Sequence, residues 1–212
     1  MLVILPYHHE SVEVYRHILN DEEVRFYFDP LLEHHPESGQ HSARVLMGCI
    51  DLGYSLGYGD DDVLMMGQSG LLHDIGKVGV AVEILDKDSA LDEYEMQDVR
   101  RHSRIAFNSL KDFSDSRVRK VVVACHEFTD NPYPRDPRKT SDFDDRRSDD
   151  PDLTIPKHVL ATVDMFDSLT HPRSYKPPLS LRTSKRIIAE EFTANSVFAD
   201  MLSDGLRLAM VA

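Results

Sequence analysis

Seven side chains capable of binding metal recur along the chain: Glu37, His41, His73, Asp74, His102, His126 and Asp164. Imidazole and carboxylate together suit Fe, Mn, Zn or Ni, and a carboxylate such as Asp74 can bridge two ions. Two ions a few ångströms apart make a hydrolytic clamp: they lower the pKa of a bridging water and neutralise charge on a phosphoryl group. The adjacent pair His73-Asp74 lets both side chains reach one cluster across a single peptide step. Glu37 and His41 are four residues apart and share a face wherever they lie on a helix. Taken singly, each has an ordinary explanation. A partly buried histidine is more often a hydrogen-bonded core residue than a ligand, and Asp164 alone reads equally well as a helix cap or a solvated carboxylate. It is the combination that points to metal. Among the 11 histidines, His8, His9, His17, His34, His35, His158 and His171 fit no ligand spacing and take the ordinary reading.

Helices must position these residues. Apolar positions at helical spacing predict helices over about 41–57, 61–73, 92–110 and 115–127. Gly57 and Gly59 punctuate the first, and Asp60-Asp61-Asp62 opens the second. The third carries acidic residues early and basic ones later, as the helix dipole favours. Residues 129–155 hold four prolines and a mixed-charge stretch with little to bury, and read as a long polar surface loop. A helix from Ile155-Pro156 to about Leu169 follows, with a proline-containing turn at 171–178 and further helices at about 179–193 and 195–209. The expected fold is an all-α bundle, with residues 1–36 as a short N-terminal segment (a helical appendage or dimer contact) ahead of the main body at 37–212.

Composition narrows the class. The 212 residues are 41% hydrophobic and 29% charged, as in a folded soluble protein, and no apolar run approaches the ~20 residues that span a bilayer. A formal charge of -13 argues against binding a nucleic acid polymer, which relies on a basic surface. It leaves room for a small phosphorylated substrate, because bound metals and local cations can reverse the field inside a pocket. The two cysteines, Cys49 and Cys125, form no disulfide framework, and cytoplasmic residence is the expectation.

Longer motifs surround the candidate ligands. The run LLHDIGKVGV (71–80) resembles the signature of the HD-GYP family within the HD-domain metal-dependent phosphohydrolases. ESGQHSARV (37–45), ILDKDSALDEYEMQDVRRH (84–102) and LATVDMFDSLTHPRSYKPPLS (160–180) are similar to that family's further segments, in the same order. The resemblance covers about residues 37–200. It implies an HD-domain helical bundle with C-terminal helices of HD-GYP type. It also implies a phosphodiesterase of a cyclic dinucleotide, mainly cyclic di-GMP, acting through a metal-bridging hydroxide with two or three divalent ions, often iron or manganese. Carried over position by position, the ligands are His41, His73, Asp74, His102, His126 and Asp164, with Glu37 at a third ion. Lys77 would meet the scissile phosphate as a point charge, and Arg173 and Lys176 would grip substrate phosphate, Arg through its bidentate fork.

Two departures from the family pattern bear on function. Cys125-His126-Glu127 stands where the family has His-His-Glu, so Cys125 either replaces a ligand as a softer thiolate or is a buried inert thiol. Asp130-Asn131-Pro132-Tyr133-Pro134 replaces D-G-x-G-Y-P, one residue shorter and without the glycines that permit unusual backbone conformations. Tyr133 keeps an aromatic face for stacking on a base. These departures motivate an alternative, a noncatalytic cyclic-dinucleotide sensor or protein-interaction module. A third reading is a di-iron HD oxygenase, against which the phosphate-directed cations speak. The expected protein partners are a second copy of the chain or a signalling protein, and regulation either comes from a partner or is absent.

Overall fold

The computed structural model describes residues 9–128, 133, 150–172 and 177–191, and the described residues are helical and contain no strand. Ten α-helices follow in order: α1 His9–Asn20, α2 Glu22–His34, α3 Pro36–Ser55, α4 Asp60–Leu72, α5 Val82–Leu85, α6 Glu93–Arg100, α7 His102–Ser109, α8 Ser116–Val122, α9 Thr154–Thr170 and α10 Leu181–Glu191. Among the described residues no helix is long and apolar enough to cross a membrane.

The bundle is built round the antiparallel pair α3 and α4. Leu46 and Ile50 of α3 meet Met66 and Leu71 of α4, all essentially without solvent exposure. Small residues let the two helices approach closely. A Cβ on Gly70 would stand 3.0 Å from the backbone of Leu46, so only glycine permits this crossing. On the other side of α3, Gly48 lies under Val163 of α9. Val118, Val121 and Val122 of α8 and Leu160 and Val163 of α9 close the same core.

Residues 9–34 join that core. Ile18 of α1 and Val24, Phe28 and Leu31 of α2 are buried in the cluster that α3 and α4 form. Asp21 caps α2 by accepting from Val24 N at 2.9 Å, which fixes the turn between α1 and α2.

Three boundaries differ from the periodicity. The stretch expected as one helix over 92–110 is two, α6 and α7, parted at Arg101. There the His102 ring takes the Val99 carbonyl at 2.6 Å, an acceptor that an uninterrupted helix would use for its own ladder. The helix expected over 115–127 ends at Val122, and the chain continues in tighter turns, with Ala124, Cys125 and Glu127 each bonding three residues back. Cys125 and His126 are thus turn residues rather than members of a helix face. The helix expected from 41 begins five residues earlier, at Pro36, capped by His35, whose Nδ1 accepts from Ser38 N. Most of the expected polar loop (129–132 and 134–149) and the expected helix at 195–209 lie outside the described residues.

Candidate metal centre

Four elements deliver the candidate ligands to one point. α3 carries His41, His73 caps the end of α4, the turn after it carries Asp74, and α9 carries Asp164. The close α3–α4 crossing at Gly70 brings the His41 and His73 rings to a centroid distance of 5.3 Å. A second close approach brings in α7. A Cβ on Gly76 would lie 1.9 Å from the His102 carbonyl oxygen, so the glycine lets the tight turn Ile75–Gly79 pack directly on the start of α7. Asp74 Oδ1 then stands 3.4 Å from His102 Nε2.

Asp164 is the hub. Its Oδ1 lies 2.9 Å from His41 Nε2 and 3.6 Å from His73 Nε2, and its Oδ2 lies 3.5 Å from Cys125 Sγ and 3.8 Å from His126 Nδ1. Two groups of close donor atoms result, His41 with His73 and Asp164, and Cys125 with His126 and Asp164. Asp74 also spans both sides, with Oδ2 near His73 (3.4 Å) and His41 (3.9 Å), and with Oδ1 toward His102, whose Nε2 is 3.2 Å from that of His126.

The hydrogen bonds around the rings decide what the cluster can hold. His73 donates from Nδ1 to the Gly70 carbonyl at 2.8 Å, and His102 from Nδ1 to Val99. A neutral imidazole has one N–H, so both Nε2 atoms present lone pairs inward. His73 Nε2 is buried and has no hydrogen-bond partner, and its neighbours at 3.4 and 3.6 Å are carboxylate oxygens, which are also acceptors. Lone pairs converging on lone pairs are unfavourable unless a cation sits among them. The donor set, imidazole nitrogens with shared carboxylates, therefore fits divalent transition metals.

The charge states agree. Burial would raise Asp74, but His73, Lys77, His102 and His41 outweigh it and hold the carboxyl well below the usual range. Asp164 is held down likewise, against burial, by His41, whose Nε2 lies 2.9 Å from Oδ1, and by the charge of the nearby His73. Burial pushes His102 down to about 3 and His126 to about 4, despite the nearby aspartates. His73 is raised, because Asp74 and Asp164 outweigh its burial. Burial and then Asp164 push the Cys125 thiol well up, so without an ion it keeps its proton and donates to Asp164 Oδ2.

The remaining candidates sit around this cluster. Lys77 Nζ reaches Asp74 Oδ2 at 2.5 Å. Glu37 belongs to neither close group; with His41, Arg44, Lys77 and Lys87 it lines a cavity of about 430 Å³, to which Ile84, Leu85, Leu91, Met96 and Val99 add apolar surface. Tyr133 lies over the other side. Its ring stacks on His126 at 4.5 Å and 18°, its N–H donates to the His126 carbonyl, and the Arg100 guanidinium lies 5.4 Å from its centre. One face of the ring is thus occupied by the imidazole. Arg173 and Lys176 lie outside the described residues.

Three participants, Asp167, Arg44 and His171, are not among the residues that the sequence singles out as candidates. Asp167 accepts from His41 Nδ1 at 2.6 Å and from Arg44 at 2.8 and 3.0 Å, and His171 Nδ1 is 2.8 Å from it. The signal for two of them is spacing: Asp167 follows Asp164 by one helical turn, and Arg44 follows His41 by three residues.

The HD domain family model matches residues 38–169. The 3′3′-cGAMP-specific phosphodiesterases 3 and 1 of Vibrio cholerae are 29% and 30% identical over 157 and 154 residues, 73% and 72% of this chain. A cyclic di-GMP phosphodiesterase of Thermotoga maritima is 26% identical over 156 residues, or 72% of the chain. The chain spans about a third of the length of these relatives, with matched shares of 32%, 33% and 39%. The HD domain of the L. monocytogenes phosphodiesterase PgpH superposes with a TM-score of 0.59 at 15% identity, covering 87% of this chain and 97% of that one. That likeness establishes the all-α HD fold.

Proposed function

The chain belongs to the HD domain family, with relatives of HD-GYP type, and on that premise we propose that it hydrolyses a 3′–5′ phosphodiester of a cyclic dinucleotide. The observation that carries this reading is the orphaned, buried His73 Nε2 among converging imidazole lone pairs and two ionised aspartates. In it, His41, His73, Asp74 and Asp164 would hold one divalent ion, and His102, His126 and Cys125, with the same aspartates, would hold a second. Glu37, on the cavity side of His41, serves a third. Iron or manganese suits this set. Such ions supply an acidified water and offset charge at phosphorus.

The chain's own residues do the rest. The cavity beside the cluster receives the substrate: its apolar residues Ile84, Leu85, Leu91 and Val99 take a base, while Lys77 and Lys87 meet phosphate. Lys77 is the one of these cations held against the cluster itself, and it sets a point charge beside the nonbridging oxygens. Arg173 and Lys176 carry the family's phosphate-gripping role by position alone. The catalytic unit begins at about 37, and α1 and α2 brace α3 from behind.

Cyclic di-GMP and 3′3′-cGAMP are the substrates to offer, since both are named for relatives. Protein prepared with iron or manganese is expected to open either ring to a linear dinucleotide and to lose that activity on chelation. Absence of turnover of both, and of linear pGpG, with metals shown to be bound, would remove the hydrolase reading. A second reading, a nucleotide-binding module without turnover, is favoured by one observation: Tyr133 covers His126, which leaves less of the second half open to substrate. Tight binding of intact cyclic dinucleotide by metal-loaded protein would support it.

A further inference from the structure

The metal reading leaves the buried carboxylate of Asp167 without a part. Asp167 sits one helical turn beyond Asp164 on α9, buried and away from both groups of close donors. Its Oδ2 accepts from His41 Nδ1 at 2.6 Å and from Arg44 Nη2 at 3.0 Å; its Oδ1 accepts from Arg44 Nε at 2.8 Å, with His171 Nδ1 at 2.8 Å. Both oxygens are engaged, so this carboxylate acts through His41 rather than at an ion.

Resting on that reading of the centre, we propose that Asp167 is a positioning residue that locks the His41 tautomer and makes this imidazole the strongest nitrogen donor of the centre. The comparison among the rings carries the inference. His73 and His102 give their Nδ1 protons to neutral backbone carbonyls, those of Gly70 and Val99. His41 alone of the three gives its proton to a carboxylate. A full negative charge at 2.6 Å polarises the N–H further than a carbonyl dipole does, and it raises electron density at the opposite nitrogen. That nitrogen, Nε2, is the one facing Asp164. Arg44 has a matching role: its fork holds the Asp167 plane, which in turn sets the plane of the His41 ring.

The test is a Co²⁺ titration of the metal-free protein, read by the visible d–d band and by stoichiometry, in wild type, Asp167→Asn and Asp167→Glu. The Asn variant is expected to lose roughly 10–100-fold in affinity for one ion, with a shifted band, and the Glu variant to recover part of the loss. A purely structural Asp167 would lower the melting temperature of the metal-free Asn variant but leave the affinity of its folded fraction unchanged; that result overturns the proposal. Wild type that binds no Co²⁺ would instead remove the metal reading itself, and the proposal with it. Imidazole ¹⁵N spectra of wild type serve if the Asn variant does not fold: His41 must carry its proton on Nδ1, and finding it on Nε2 overturns the assignment.

Discussion

The two halves of the centre are built differently. On one side, His41 and His73 come from α3 and α4, the central pair of the bundle, and both rings are almost without solvent exposure. Each is locked from behind, His41 by Asp167 and His73 by the Gly70 carbonyl. On the other side, Cys125 and His126 come from turns after α8, the His126 side chain is 18% exposed, and what covers it is the ring of Tyr133. Helix crossings at glycine leave the first half little freedom to vary, whereas turns constrain the ligands and cover of the second half less. The departures from the family pattern, at Cys125 and around Tyr133, fall in the second half.

The largest effect should come from the residue both halves share. Asp164→Ala is expected to lower metal content on both sides and to cut turnover by about 10³-fold or more, since the ions contribute several kcal/mol to the barrier. Elemental analysis with single-turnover kinetics checks it, and loss confined to one ion would break the picture of a common hub. Next comes the seam between the halves. Gly76→Ala sets a methyl against the His102 carbonyl and should destabilise by roughly 2–3 kcal/mol. Gly79→Ala meets only the end of the Ile105 side chain and should cost less than about 1 kcal/mol. Urea titrations of the two variants compare them directly.

A pH profile separates the halves further. His102 and His126 have folded pKa values depressed to about 3 and about 4, below the unfolded value of 6.5, so below pH 6.5 the unfolded chain takes up protons that the folded one does not. Stability of the metal-free protein should therefore fall as pH drops from about 6.5 towards 4, by up to about 1.4 kcal/mol per pH unit for each ring. His73 works the other way: its folded pKa is raised, so its contribution is present below 6.5 and is lost as pH rises through the folded value. His126→Gln should flatten the acid limb in chemical denaturation and leave the limb above 6.5 unchanged.

The smallest effects belong to the variable half. Cys125→His should raise occupancy of the second ion and sharpen its spectrum, while Cys125→Ser should weaken that ion by no more than about tenfold. Tyr133→Ala should uncover His126 and alter KM severalfold with a smaller change in kcat, a difference that steady-state kinetics on a cyclic dinucleotide can resolve. A loss from Tyr133→Ala as large as that from Asp164→Ala would erase the distinction between the halves.

Much of this protein is legible in its amino-acid sequence. Helical periodicity indicates the all-α class, and His41, His73, Asp74, His102, His126 and Asp164 are readable because motif spacing is a local property of the chain. Tertiary structure decides the rest. Spacing hints at Asp167, but its partner is fixed only when α9 meets α3, which sets residues 123 and 126 positions from His41 against its ring. The break at Arg101 depends on where the His102 ring finds its acceptor, and Gly76 matters because another element's carbonyl lies against it. The core role of α1 and α2 is hidden for the same reason, since an amphipathic helix does not name its partner. Sequence specifies which donors exist and on what element each rides; only packing between distant elements specifies which lone pairs face one another, and that is what makes a candidate metal site of them.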